Sequence, residues 1–137
     1  MSMTNKTIAV AGVLSFGLFA LHVTGGSQSA LVPALESDAS DLVKAFIAVS
    51  FHGVTVNLII CSFMLMMAAR SVTHRTVLTS LVIADYLAFA GLFLFYGMTR
   101  LGTVFLMIPW IIFLLIAVVA TVGLLQTRGF RNVHAQA

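Results

Sequence analysis

Four continuous apolar stretches, separated by short polar segments, constrain the fold of this chain more than any other feature. They cover about residues 7–24, 42–69, 76–98 and 103–126. The hydrocarbon core of a bilayer is about 30 Å thick and takes about 20 helical residues to cross, so each stretch is long enough. Because the stretches are continuously apolar rather than alternating, they are predicted to be helices and not barrel strands. The sequence therefore predicts an all-α polytopic membrane protein, a single transmembrane domain built as a four-helix bundle.

The composition supports the same class. Hydrophobic residues make up 61% of the 137 residues and charged residues 8%, whereas a soluble domain has about 25% charged residues. The seven Lys and Arg residues are spread along the whole chain and form no basic patch. We therefore expect the lipid bilayer, and no nucleic acid, as a partner. The single cysteine, Cys61, excludes an intrachain disulfide.

The distribution of basic residues predicts the orientation, because cytoplasmic segments of membrane proteins carry an excess of Lys and Arg. Two basic residues, Lys44 and Arg100, lie at one end of the predicted bundle. Five lie at the other end: Lys6, Arg70, Arg75, Arg128 and Arg131. We therefore expect a multi-pass membrane protein with both termini in the cytoplasm.

The longest predicted connection is an outer loop over about residues 25–41. Gly25 and Gly26 favour the end of the first helix there, since glycine readily adopts the left-handed conformation of a helix C-terminus. Ser40 or Asp38 can cap the second helix. Pro109 is predicted to kink the fourth.

The first apolar stretch also fits a second hypothesis, a secretory signal peptide. Lys6 would then form the basic region, Ile8 to Leu21 the apolar core, and Ser27 to Ala30 a small-residue cleavage site. A retained transmembrane helix is the preferred interpretation.

Asp85 is the strongest candidate for a functional residue, because it is the one charge between Val77 and Met98. A carboxylate near the bilayer centre costs a few kcal/mol, so it is expected to be paired, protonated or in use. A rise of about 1.5 Å per residue predicts that His52 and Asn57 lie at a similar depth. A His52–Asp85 pair is therefore expected, able to relay protons or only to hold two helices together. Secondary candidates are Ser50, Thr55 and Tyr96.

A second histidine, His22, lies nearer the outer end of the first helix. His22 and His52 raise the hypothesis of a b-type haem held by two imidazoles, which suits a four-helix membrane bundle. No His/Cys cluster has zinc spacing, so whether a metal binds stays open. Since the sequence has no phosphate-binding loop and no nucleophile–base arrangement, we assign no catalytic residue and consider an enzyme the less favoured class.

Several short motifs occur together in the first half of the chain. They are Leu21-His22-Val23-Thr24-Gly25-Gly26, then Pro33 and Leu35, then Lys44 and Phe51-His52-Gly53-Val54-Thr55. This arrangement resembles a pattern in small bacterial four-helix inner-membrane proteins that have no assigned activity. The resemblance implies a multi-pass protein of the bacterial inner (plasma) membrane. It also implies that His22, the glycine pair and His52 belong together, and it implies no mechanism. The chain is also similar in size to small multidrug transporters and fluoride channels. It lacks the first-span glutamate of the former and the arginine-bearing glycine motif of the latter.

Three hypotheses for the function follow. The first is an accessory or structural subunit of a membrane complex or a homo-oligomer, whose buried polar groups specify helix packing. The second is a small proton- or ion-coupled transporter or channel that uses Asp85 and His52. The third is an electron-transfer protein that binds haem through His22 and His52.

Overall fold

The computed structural model describes residues 4–134, with side chains described up to Thr127. The helical elements are α1 (Lys6–Leu21), a π-helical segment (His22–Leu31), α2 (Val32–Glu36), α3 (Asp41–Arg70), α4 (Arg75–Leu101), a short 3-10 turn (Phe105–Met107) and α5 (Pro109–His134). No strand occurs in this part of the chain. The predicted all-helical class is therefore confirmed.

Four helical stretches are long and apolar enough to cross a membrane, as predicted. They are Lys6–Glu36, which joins α1, the π-helical segment and α2, followed by Asp41–Arg70, Arg75–Leu101 and Pro109–Thr127. Large apolar side chains such as Val49, Leu81 and Leu115 are exposed on their outer surfaces. Apolar side chains can face outward over the whole length of a helix when lipid, not water, surrounds it.

The four long helices form a ring in which α1 packs on α3 and α5, and α4 packs on the same two helices. Leu65, Tyr86 and Ile116 are among the side chains that fill its centre. Small residues such as Ala11 and Ala68 are also fully buried there, and they let the helix backbones approach closely.

The predicted end of the first helix at Gly25 and Gly26 is wrong, because helical structure continues through both to Glu36. A glycine pair ends a helix only where the chain turns, and neither glycine has the positive φ of such a turn. The hydroxyls of Thr24, Ser27 and Ser29 instead donate to carbonyls four residues earlier. The predicted outer loop is thereby reduced to residues 37–40. Ser40 precedes α3 without making a side-chain capping bond.

Pro109 also differs from its prediction. It is the first residue of α5 and not the site of a kink, because a proline in the first helical turn removes an N–H that has no partner within the helix. The preceding long helix, α4, ends at Leu101 and is followed by Gly102, whose φ of 67° is the left-handed conformation that favours glycine. The fourth span consequently begins six residues later than the sequence predicted.

Candidate functional site

Asp85 and Asn57 meet between α3 and α4. The Asn57 Nδ2 donates a hydrogen bond of 2.9 Å to Asp85 Oδ2. The Cys61 thiol, one turn further along α3, lies 3.5 Å from the same oxygen. Asp85 is about 15 Å along α4 from Arg75, and so lies near the middle of that helix. The structure therefore brings two of the predicted site residues together and adds Cys61, which the sequence places on the same stripe of α3.

The Asp85 carboxyl group is only half satisfied. Both of its hydrogen bonds reach Oδ2, and no described residue donates to Oδ1. Asp85 and Asn57 are half-buried, while the nearby Gly53 of α3 and Ala88 of α4 are exposed. We call these four residues, Gly53, Asn57, Asp85 and Ala88, the α3–α4 seam. The seam thus contains a carboxyl oxygen with unused bonding capacity beside small exposed residues.

His52 does not join Asp85, so the predicted His52–Asp85 pair is not formed. Positions 52 and 57 are about 140° apart around a helix, and Asn57 is the one that faces α4. His52 is exposed on the outward face of α3, and its ring touches that of Phe51. No described residue makes a hydrogen bond with its imidazole.

His22 lies away from Asp85 and contacts Phe51 of α3. Its Nε2 is 3.2 Å from the Phe51 carbonyl oxygen, and its ring stacks on the Phe51 ring with a centroid separation of 4.2 Å. Phe51 faces His22, whereas His52 is exposed on the outside of α3. The two histidines predicted as haem ligands are therefore not brought to one site. Among the described residues, no group of three or more His, Cys, Asp or Glu could hold a metal ion.

The secondary candidates lie outside the Asp85 cluster. The Thr55 hydroxyl donates to the carbonyl of Phe51 at 3.0 Å within α3, and Ser50 lines a cavity between the helices. Tyr96 is 48% exposed and contacts Phe95 edge-on.

Sequence reasoning missed a chain of hydroxyl groups at the centre of the bundle. Ser15 Oγ lies 2.7 Å from Ser62 Oγ and also bonds the Tyr86 hydroxyl. Ser62 donates onward to the Leu58 carbonyl at 2.7 Å. All three hydroxyl-bearing residues are fully buried. The one available signal was the position of Tyr86 beside Asp85, because Tyr86 must then point about 100° away from the α3–α4 seam.

No known protein family, curated protein or solved structure matches this chain. Its function therefore has to be inferred from the arrangement of its own residues.

Proposed function

We propose that this protein is a subunit of a membrane assembly, either a homo-oligomer or a larger complex, and has no enzymatic activity of its own. In this proposal, a transmembrane helix of the neighbouring subunit packs against the outward face of α3 and the α3–α4 seam. The observation that carries the proposal is the unsatisfied Oδ1 of Asp85 at mid-helix depth.

The supporting argument concerns polar groups in hydrocarbon. An unsatisfied polar group in the bilayer core costs several kcal/mol, because no water is present to bond it. Two such groups border the outward face of α3: the Asp85 carboxyl on one side and the exposed imidazole of His52 on the other. A neighbouring helix that carries hydrogen-bonding side chains would satisfy both, which makes the burial of this face favourable.

The seam also has the shape for close helix contact. A Cβ added at Gly53 would meet no atom within 4 Å, and Ala88, three residues after Asp85 in α4, is exposed. Small residues on the surface of a transmembrane helix let a second backbone approach, which strengthens dispersion contacts and interhelical hydrogen bonds.

The basic residues support an orientation with both termini in the cytoplasm. We place the chain in the inner membrane of a bacterium. Asn5, at the start of α1, bonds Ala69 at the end of α3 and Gly123 in α5. The start of α1 and the end of α3, which carry Lys6 and Arg70, therefore lie at the same end of the bundle. Lys44 and Arg100 lie at the opposite end.

The proposal is tested by introducing the same bulky side chain on two faces. Gly53 and Gly17 are both exposed, and an added Cβ meets nothing within 4 Å at either position. We expect Gly53→Leu to reduce the assembled fraction about tenfold by blocking close approach. Gly17→Leu, on α1, should leave it unchanged.

The measurement is light scattering of the protein purified gently from its native membrane, with the co-purifying polypeptides identified by mass. Multiples of this chain alone indicate a homo-oligomer, and stoichiometric foreign chains indicate a complex. A wild-type protein that is monomeric in lipid nanodiscs, or equal effects of the two leucine variants, would contradict the proposal.

In the transport hypothesis, Asp85 stays a candidate proton-binding group, but His52 does not pair with it. Asp85→Asn separates the two hypotheses, because an amide can form hydrogen bonds but cannot release a proton. If the protein is a structural subunit, the Asp85→Asn variant should form the same assembly as the wild-type protein, in the same assembled fraction. Loss of proton flux into liposomes by an assembled Asp85→Asn variant would instead favour transport and overturn the purely structural role.

A further inference from the structure

A large apolar cavity opens at the end of the bundle where α3 and α5 begin. Its volume is about 690 Å³, and the π-helical segment, the first half of α3, the second half of α4 and the start of α5 all contribute to its wall. The wall includes five phenylalanines: Phe46, Phe51, Phe89, Phe93 and Phe113. Pockets for small organic ligands typically measure about 300–1,000 Å³ and are lined in this way by apolar and aromatic side chains.

Within this apolar wall, His22 provides a hydrogen-bond acceptor. The Phe51 carbonyl oxygen can only accept, so the His22 Nε2 that lies 3.2 Å from it carries the proton. In the tautomer that carries its proton on Nε2, Nδ1 is an acceptor. Ser29 and Ser50 also line the cavity, and the Ser29 hydroxyl already donates to the Gly25 carbonyl. A bound ligand can therefore donate a hydrogen bond to Nδ1, and it needs a hydroxyl or N–H group to do so.

The glycine pair keeps the cavity open. A Cβ at Gly26 would lie 3.4 Å from both His22 Nδ1 and the edge of the Phe51 ring. A Cβ at Gly25 would meet no atom within 4 Å. Both glycines line the cavity and belong to the π-helical segment. Since π-helical turns occur frequently at functional sites, the local backbone supports a binding role for this region.

We propose that this cavity binds one lipophilic molecule whose aromatic ring carries a hydroxyl group, the chemical class of the membrane quinols. The ring packs among the phenylalanines, where offset or edge-on aromatic contacts are favourable. Its hydroxyl donates to His22 Nδ1, and its apolar tail extends toward the surrounding lipid. A simple acyl chain fills the same space but leaves Nδ1 without a donor, which weakens its binding relative to a quinol.

The hydroxyl group is tested with a matched pair of ligands. The purified protein in detergent micelles is titrated calorimetrically under anaerobic conditions with decylubiquinol and with the dimethyl ether of that quinol. We expect the quinol to bind about 5- to 10-fold more tightly, the effect of about one hydrogen bond. In His22→Phe, which keeps an aromatic ring but loses the acceptor, this ratio should fall to near one. His52→Phe, on the outside of α3, should leave the ratio unchanged.

The cavity itself is tested by filling it. Gly25→Leu should abolish binding of both ligands, whereas Gly17→Leu, an exposed glycine outside the cavity wall, should not. This second variant keeps the test valid if His22→Phe does not fold. Equal affinities of wild-type protein for the quinol and its ether would overturn the proposal. So would equally tight binding of 1-decanol, which would show a site for plain apolar chains.

Discussion

At the end of the bundle where α1 and α4 begin, polar side chains hydrogen-bond the helix termini to one another. At the opposite end, where α3 and α5 begin, phenylalanines and glycines surround an open cavity. We call these the closed end and the cavity end. At the closed end, the backbone N–H of Asn5 donates to the Ala69 carbonyl at 2.8 Å. The Asn5 side chain bonds Gly123 and Thr127 of α5 and accepts from the Ile8 N–H.

Arg75 completes the closed end. It is only 6% exposed, and its guanidinium donates to the carbonyls of Ala68 and Ala69 at the end of α3, both at 3.1 Å. The last carbonyls of a helix have no partner within it, so side chains from neighbouring helices that bond them also hold the helices together. At the cavity end, the corresponding contacts are aromatic and leave space. We therefore expect stability to be concentrated at the closed end of the bundle, and the proposed ligand binding at the cavity end.

The largest expected effect comes from removing the arginine at the closed end. Arg75→Ala removes the charged donor to the Ala68 carbonyl and one of the two donors to the Ala69 carbonyl, which keeps the Asn5 N–H. We expect it to lower the free energy of unfolding by about 3 kcal/mol, the effect of two hydrogen bonds from a charged group. Arg100→Ala, at the exposed end of α4, is the control and should change little. SDS titration in mixed micelles measures both. A loss at Arg75 no larger than that at Arg100 would contradict the role given to the closed end.

A smaller effect is expected from the same methyl group placed at the two ends. In Gly123→Ala, the new Cβ would lie 2.6 Å from Ile8 Cγ1 and 3.0 Å from the Ile8 backbone nitrogen. We expect a loss of about 2 kcal/mol from overpacking. Gly25→Ala, where the new Cβ meets no atom within 4 Å, should stay within about 0.5 kcal/mol of wild type. Equal losses in the same titration would show that the two ends are packed alike.

The smallest expected effect lies between the two ends, in the buried hydroxyl chain. Tyr86→Phe removes the bond to Ser15, and we expect a loss of about 0.6 kcal/mol, the average for hydrogen bonds between transmembrane helices. Thr79→Val is the matched control, because the buried Thr79 hydroxyl has no hydrogen-bond partner among the described residues. That variant should be neutral or slightly stabilised. If the tyrosine variant proves as stable as the valine one, the hydroxyl chain contributes nothing to stability.

Much of the fold could be predicted because its main signals are local. Predicted stretches 42–69 and 76–98 lie within α3 (Asp41–Arg70) and α4 (Arg75–Leu101), since helix length follows from the run of apolar residues. The common depth of Asn57 and Asp85 was predictable for a similar reason, because depth along a helix depends only on the number of residues. His52 was assigned wrongly since depth says nothing about which way a side chain points.

The sequence alone was enough to predict the number of long helices, the bounds of the second and third, and the residues that share a level in the bundle. The rotation of each helix, the continuation of helix through Gly25 and the position of the cavity depend on the tertiary structure. These helices are apolar on nearly every side, so hydrophobic periodicity does not orient them. Their rotation is set instead by contacts between distant residues, such as Asn57 with Asp85 and Ser15 with Tyr86.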